Sequence, residues 1–159
     1  FDYILKYKGD INKEIILELH KLVVINTLRQ DLISQIGGYR TVQVFIGRSI
    51  PPKPQEVPNK MANLLRWYSK NKKKLHPLIL ASYFHTEFEK IHPFVDGNGR
   101  VGRLLLNFIL YKNKFPMINI PKKRRFKYYK VLQEAQYKEN LRPFIIFLIS
   151  ILKKDKLRF

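Results

Sequence analysis

A chain of 159 residues, 45% of them hydrophobic, is long enough to bury a core of its own and too apolar to be a disordered tail. It has no cysteine, which excludes a disulfide scaffold, a thiol nucleophile and a cysteine-based zinc site, and which fits a reducing, cytoplasmic compartment. Lys plus Arg number 31 against 12 Asp plus Glu, a net charge of +19; this invites a polyanionic partner, but the lysines are spread along the whole chain and solvated faces account for them more simply.

The elements follow in order. "FDYILKYKGD" reads as the end of a helix, so residues 1–159 are expected to form one domain, the C-terminal catalytic part of a longer protein. "NKEIILELHKLVVINTL" has a helical apolar period, with Asn12 as its cap and Glu14 in its first turn. Gly37 and Gly38 end that region. "YRTVQVFIG" alternates and is rich in β-branched residues, which predicts a hairpin over residues 40–47. The prolines of "RSIPPKPQEVP" then predict a stiff extended connection.

Five helices complete the chain. "EVPNKMANLLRWYSKN" places Met61, Leu64, Leu65 and Tyr68 on one side, and "PLILASYFHTEFEKI" starts on Pro77 and must stop before Pro93. "GRLLLNFILYKN" is apolar enough to be central, "KKRRFKYYKVLQEAQ" is amphipathic, and "PFIIFLISILKK" closes the chain as a buried helix. The uncharged run Pro143–Leu152 is far too short to span a bilayer. The fold expected is all-α with one short β-hairpin.

The chemistry lies in "IHPFVDGNGRVGRLLLN", Ile91 to Asn107. His92 stands between a helix end and Pro93, and Phe94 is placed to point inward. Gly97, Asn98 and Gly99 make a turn that leads straight into a helix, whose free N–H groups and dipole suit an anion. Arg100 and Arg103, three residues apart, add two guanidinium groups on one face. Asp96 suits Mg²⁺, which prefers carboxylate, phosphate and water oxygens. His92 suits a general base, because a neutral fraction persists at physiological pH. Together they predict attack of a hydroxyl on a nucleotide phosphate. Walker A is absent, and "GNGRVG" lacks the preceding strand a dinucleotide fingerprint needs. His20, His76 and His85 lack metal-ligand companions and read as ordinary helix residues.

The stretch "HPFVDGNGRVGR" matches every defined position of HxFx[DE]GNGRxxR, and the chain from about Ile11 onward resembles the Fic family. The resemblance implies an all-α Fic-type core, and an adenylyltransferase that moves AMP from ATP, with Mg²⁺, onto a Tyr, Thr or Ser hydroxyl of a target protein. Carried over by position, His92 is the base, Phe94 the buried pin and Asp96 the Mg²⁺ ligand. Gly97, Asn98 and Gly99 form the anion hole for the α- and β-phosphates; Arg100 steadies the phosphates and Arg103 reaches the γ-phosphate. Tyr129, Leu132 and Gln136 line the adenine pocket, with Gln136 standing where Asn is expected. The flap Thr41, Val42, Gln43, Val44, Phe45 and Ile46 would clamp the target as an added strand. Gly99 argues against the kinase-type relatives, which carry Lys there. Another nucleotide, phosphocholine transfer, or AMP removal by a longer form stay open. So does a basic nucleic-acid module built on "KKRRFKYYK", though it is the less favoured reading.

The family's inhibitory [ST]xxxE[GN] pattern does not occur: no Ser or Thr here is followed four residues later by Glu. An inhibitory segment is therefore expected upstream or in a partner protein, with this stretch more active than the whole. A homodimer fits the family, but no residue pattern fixes an interface, and no membrane association is expected.

Overall fold

The computed structural model describes residues 2–47 and 49–156. Seven α-helices make up most of these residues: α1 Asp2–Lys6, α2 Lys13–Val24, α3 Val57–Asn71, α4 Pro77–Ile91, α5 Asn98–Lys112, α6 Arg125–Tyr137 and α7 Arg142–Lys156. α4 and α5 pack against each other at the centre. α2 lies on α5, α3 on α4, and α6 and α7 pair and cover the remaining side of α4. Phe84 and Phe88 of α4, Phe108 of α5 and Phe144 and Phe147 of α7 are fully buried in the shared core, as is Phe94 in the connection between α4 and α5.

Local chemistry sets the helix ends. Asn12 Oδ1 accepts from the Ile15 N–H at 2.9 Å, the cap its position predicts. Before α4, His76 Nδ1 accepts from the Leu78 N–H at 3.2 Å, and Pro77 takes the first helical position, where its missing N–H costs nothing. α2 ends at Val24, earlier than its apolar period suggests. A 3₁₀ segment, Gln30–Gln35, that the sequence did not announce follows it. The proline-rich connection is not extended throughout: Pro54–Glu56 form a 3₁₀ turn, closed by Glu56 Oε2 accepting from the Lys53 N–H at 2.8 Å, that runs directly into α3.

The hairpin expected over residues 40–47 is not formed. A single antiparallel bridge joins Ile46 and Ser49, with N···O distances of 3.0 and 2.9 Å, and the rest of the segment is irregular. The alternating pattern finds no neighbouring strand among the described residues, and a lone two-stranded hairpin is marginal in water. Side chains take the backbone acceptors that a ladder would use. Gln43 Nε2 donates to Val44 O at 3.1 Å and to Pro51 O at 3.0 Å. Arg40 is only 2% exposed. Its Nε donates to His92 O at 2.8 Å, and its two Nη groups reach the carbonyl oxygens of Val42, Pro52 and Ile91.

Arg40 therefore pins the segment to the end of α4 through buried charge-assisted bonds. Arg40→Met keeps much of the volume and strands those carbonyls, so it is expected to lower stability by roughly 2–4 kcal/mol, read as the shift of a urea unfolding curve.

Candidate active site

The site is built on the turn from α4 to α5. His92 caps α4 in the left-handed region at φ 50°, and Pro93 forbids further helix. Gly97 is also left-handed, at φ 82°, and stands just before α5. A Cβ on Gly97 would lie 2.7 Å from Val24 Cγ1, so space as well as φ demands glycine there. Asn98 is buried and closes the turn with both ends of its amide: Oδ1 accepts from Phe94 N at 2.9 Å and Nδ2 donates to Phe94 O at 2.8 Å. The Asn98 side chain thus faces inward, and what it can offer an anion is its backbone N–H. The N–H groups of Asn98 and Gly99 donate to no acceptor among the described residues, and no side chain caps this helix end.

His92 lies with its ring mostly buried. Its Nδ1 faces the Glu89 carbonyl oxygen at 3.3 Å, an acceptor, so Nδ1 carries the proton and Nε2 keeps a lone pair. Burial, assisted by the positive Arg40, pushes its pKa down to about 4 against the opposing pull of the Glu89 carbonyl and Asp96. The ring is therefore neutral at physiological pH and able to accept a proton.

Asp96 is half exposed at the mouth of the turn. Its Oδ1 accepts from the Gly97 N–H at 2.6 Å, and its Oδ2 lies 3.2 Å from Arg100 Nη2. Arg100 also donates through Nη1 to Val23 O at 2.9 Å and Thr27 Oγ1 at 3.0 Å, which ties the start of α5 to the end of α2. Arg103 makes no carboxylate ion pair within 4 Å among the described residues, and it lines two openings beside the α5 N-terminus. No group of three or more His, Asp or Glu side chains placed to hold a metal ion occurs among the described residues. One partly exposed carboxylate still fits Mg²⁺, which keeps water and phosphate oxygens as most of its ligands.

A cavity of about 550 Å³ opens beside His92 and Gly99. Tyr129, Leu132 and Gln136 of α6 line it, joined by Tyr137, Ile46 and Ile50. Tyr137 Oη hydrogen-bonds Ser49 Oγ, so α6 and the tip of the irregular segment meet over the cavity. Of the six flap residues only Ile46 reaches it. Thr41 is bonded to Gln35, and Phe45 projects outward, 70% exposed. The basic and aromatic run of α6 is divided: Tyr128 is buried with its hydroxyl 2.8 Å from His85 Nε2, which removes it from any stacking platform, while Phe126 is exposed.

Three residues of this site were not legible as such in the sequence. His20 of α2 is fully buried and stacks on Phe94, ring centroids 3.8 Å apart and planes 1° from parallel. Its Nδ1 accepts from Gly37 N at 3.1 Å, which leaves Nε2 to donate to Asp96 O at 3.2 Å. One imidazole thus holds the pin and the carboxylate-bearing residue together. His85 and Glu89 lie beneath His92, and the spacing 85, 89, 92 along one helix face was the available signal.

A helical domain with a neutral histidine and an open helix N-terminus beside a cavity of about 550 Å³, and with two arginines lining neighbouring openings, is of a class suited to bind a phosphate-bearing ligand. Comparison with known proteins makes the class specific. Residues 10–110 match the Fic/DOC family, and the chain is a member of that family. It is 40% identical over 148 residues to "Protein adenylyltransferase Fic" of Drosophila melanogaster, covering 92% of this chain and 29% of that protein. The counterpart of Drosophila persimilis is 38% identical over the same length, 28% of that protein. The chain thus spans under a third of the curated relatives it matches. Among solved structures, a Fic domain-containing signaling protein from Bacteroides thetaiotaomicron superposes with a TM-score of 0.79 at 29% identity, over 91% of this chain and 60% of that one. Fic-1 (aa134 - 508) of C. elegans superposes with a TM-score of 0.77 at 31% identity, over 94% and 42%.

Gly97→Ala meets both the left-handed φ and the Val24 contact. It is expected to cost about 1–3 kcal/mol in urea unfolding; an unchanged midpoint would mean the turn tolerates another geometry.

Proposed function

We propose that this domain transfers AMP from ATP to a Tyr, Thr or Ser hydroxyl of a target protein. The observation that carries the reading is the juxtaposition of a neutral His92, its Nε2 lone pair free, with the unpaired N–H groups of Asn98 and Gly99, where His92 and Gly99 line a cavity of about 550 Å³. The adenylyltransferase name of the Drosophila relatives supports it.

The steps follow from the chain's own groups. The base stacks in the cavity between Tyr129, Leu132 and Gln136 of α6 and Ile46 of the facing segment. The α- and β-phosphates rest on the Asn98 and Gly99 N–H groups and the α5 dipole. Arg103 takes the γ-phosphate, and Arg100, fixed by Val23 and Thr27, keeps the turn and Asp96 in place. His92 Nε2 takes the proton of the target hydroxyl. The oxygen attacks the α-phosphorus, the bond to the bridging oxygen breaks, and pyrophosphate leaves with its electron pair. Bound Mg²⁺, held by Asp96, would supply positive charge to the phosphate oxygens. Within residues 41–46 the backbone groups of Gln43 and Phe45 have no partner among the described residues, and they would be available to pair with an extended target segment.

Intact-mass spectrometry of the purified chain with ATP and Mg²⁺, alone and with added candidate proteins, tests the reading. Addition of AMP units by the wild type, lost in His92→Ala, is expected, with GTP, CTP and UTP as parallel controls of the base pocket. Equal labelling by His92→Ala would remove His92 from the chemistry.

A further inference from the structure

We infer that Glu89 is a positioning residue for this transfer: its buried carboxylate backs the Nδ1 edge of His92 and compensates the charge that the imidazole acquires when Nε2 takes the target's proton. The inference rests on the AMP-transfer reading and adds a residue to it.

Glu89 is placed unusually for a carboxylate. It is 8% exposed, in the last turn of α4, and its Oε1 has no hydrogen-bond partner among the described residues. Its Oε2 lies 3.9 Å from His92 Nδ1, on the same edge of the ring that faces the Glu89 carbonyl. α5 leaves room for this arrangement. A Cβ on Gly102 would lie 2.3 Å from Glu89 Oε1, so any other residue at 102 would push the carboxylate away. A buried, unpaired carboxylate costs stability, and structure alone offers no return for it. Its position beside the base, within the wall of the nucleotide cavity, offers a use.

The charges around the pair define that use. Facing Glu89 are His85 from α4, His92 just after it, Arg103 from α5 and Tyr128 from α6. Facing His92 from the loops are Arg40 and Asp96. Once His92 is protonated, Arg40 opposes the new cation in a mostly dry site. Glu89 is the anion nearest to Nδ1. Burial raises the Glu89 pKa to about 7 while Arg103 draws it down, so the carboxylate ionises around neutrality. Below that range the imidazolium would form beside a neutral acid, and above it beside an anion. The proton balance is complete within the pair: one proton leaves the target hydroxyl for His92, and Glu89 gains none.

Glu89→Gln keeps the shape and removes the charge. In the full AMP-transfer assay it is expected to lower kcat about tenfold with KM for ATP within about twofold, and to erase an acid limb near pH 7 from the wild-type profile. A second measurement needs no activity. The His92 ring resonances of ¹³C- and ¹⁵N-labelled protein, titrated without ATP, should show an inflection near pH 7 that Glu89→Gln removes. Wild-type kcat and pH profile in the variant would overturn the proposal, as would His92 resonances with no inflection that the variant removes. A parallel loss of kcat and thermal stability, with the acid limb retained, would also overturn it, as a purely structural role. If the wild type transfers no AMP yet shows the inflection, the transfer reading fails and the Glu89–His92 coupling remains.

Discussion

Residues 92–98 must reverse the chain between two helices that are themselves packed against each other, and every feature of the site depends on how they do it. The reversal uses two left-handed residues, His92 and Gly97, and the double hydrogen bond between the Asn98 amide and the Phe94 backbone. His92 adopts a conformation that non-glycine residues avoid, and the cost is met by the contacts around it: Pro93 behind, Arg40 bonded to its carbonyl, and Phe94 driven into the core. The result is that the His92 ring and the open end of α5 are set by the same turn. Neither can move without the other.

Burial then gives both of those groups their chemistry. A helix N-terminus attracts phosphate more strongly where water is excluded, and the same exclusion keeps His92 neutral. His20 extends this to the residues behind the turn, where it touches Phe94 and Asp96. Because Gly37 N–H donates to its Nδ1, its Nε2 must donate to Asp96 O, and burial holds the ring neutral so that this pattern persists. α2 is therefore part of the site, although it contributes no group that would touch a nucleotide.

What could be read from the sequence divides along a physical line. The helices, the cap at Asn12, Pro77 in the first turn of α4 and the turn residues of the motif are local properties, set by neighbours within a few positions, and apart from the early end of α2 they stand in the structure where their patterns place them. The flap was misread as a hairpin because alternation records which faces a segment prefers, not whether a partner strand exists. Arg40 was invisible for a different reason: its acceptors are carbonyl oxygens as far away as residue 92, and carbonyls leave no mark in a sequence. His20 and Glu89 were passed over as single titratable residues on helices. Their roles come from contacts across 17 to 76 positions for His20, and for Glu89 from the glycine at 102 that faces it.

The charge of +19 bears on the site in one direction only. Cations near the turn favour a polyphosphate ligand and speed its arrival. The same field opposes protonation of His92, so a site made more basic to hold ATP becomes a poorer proton acceptor. Moving Arg40 away would ease protonation of His92 at the expense of the fold. A carboxylate at the Nδ1 edge of the ring eases it without moving an arginine, and it shares the cavity wall with Gly99, whose Cβ position would lie 4.0 Å from Glu89 Oε1. Buried carboxylates are disfavoured in most of a core, but the penalty is smaller near a guanidinium, and Arg103 is the charge that draws the Glu89 pKa down.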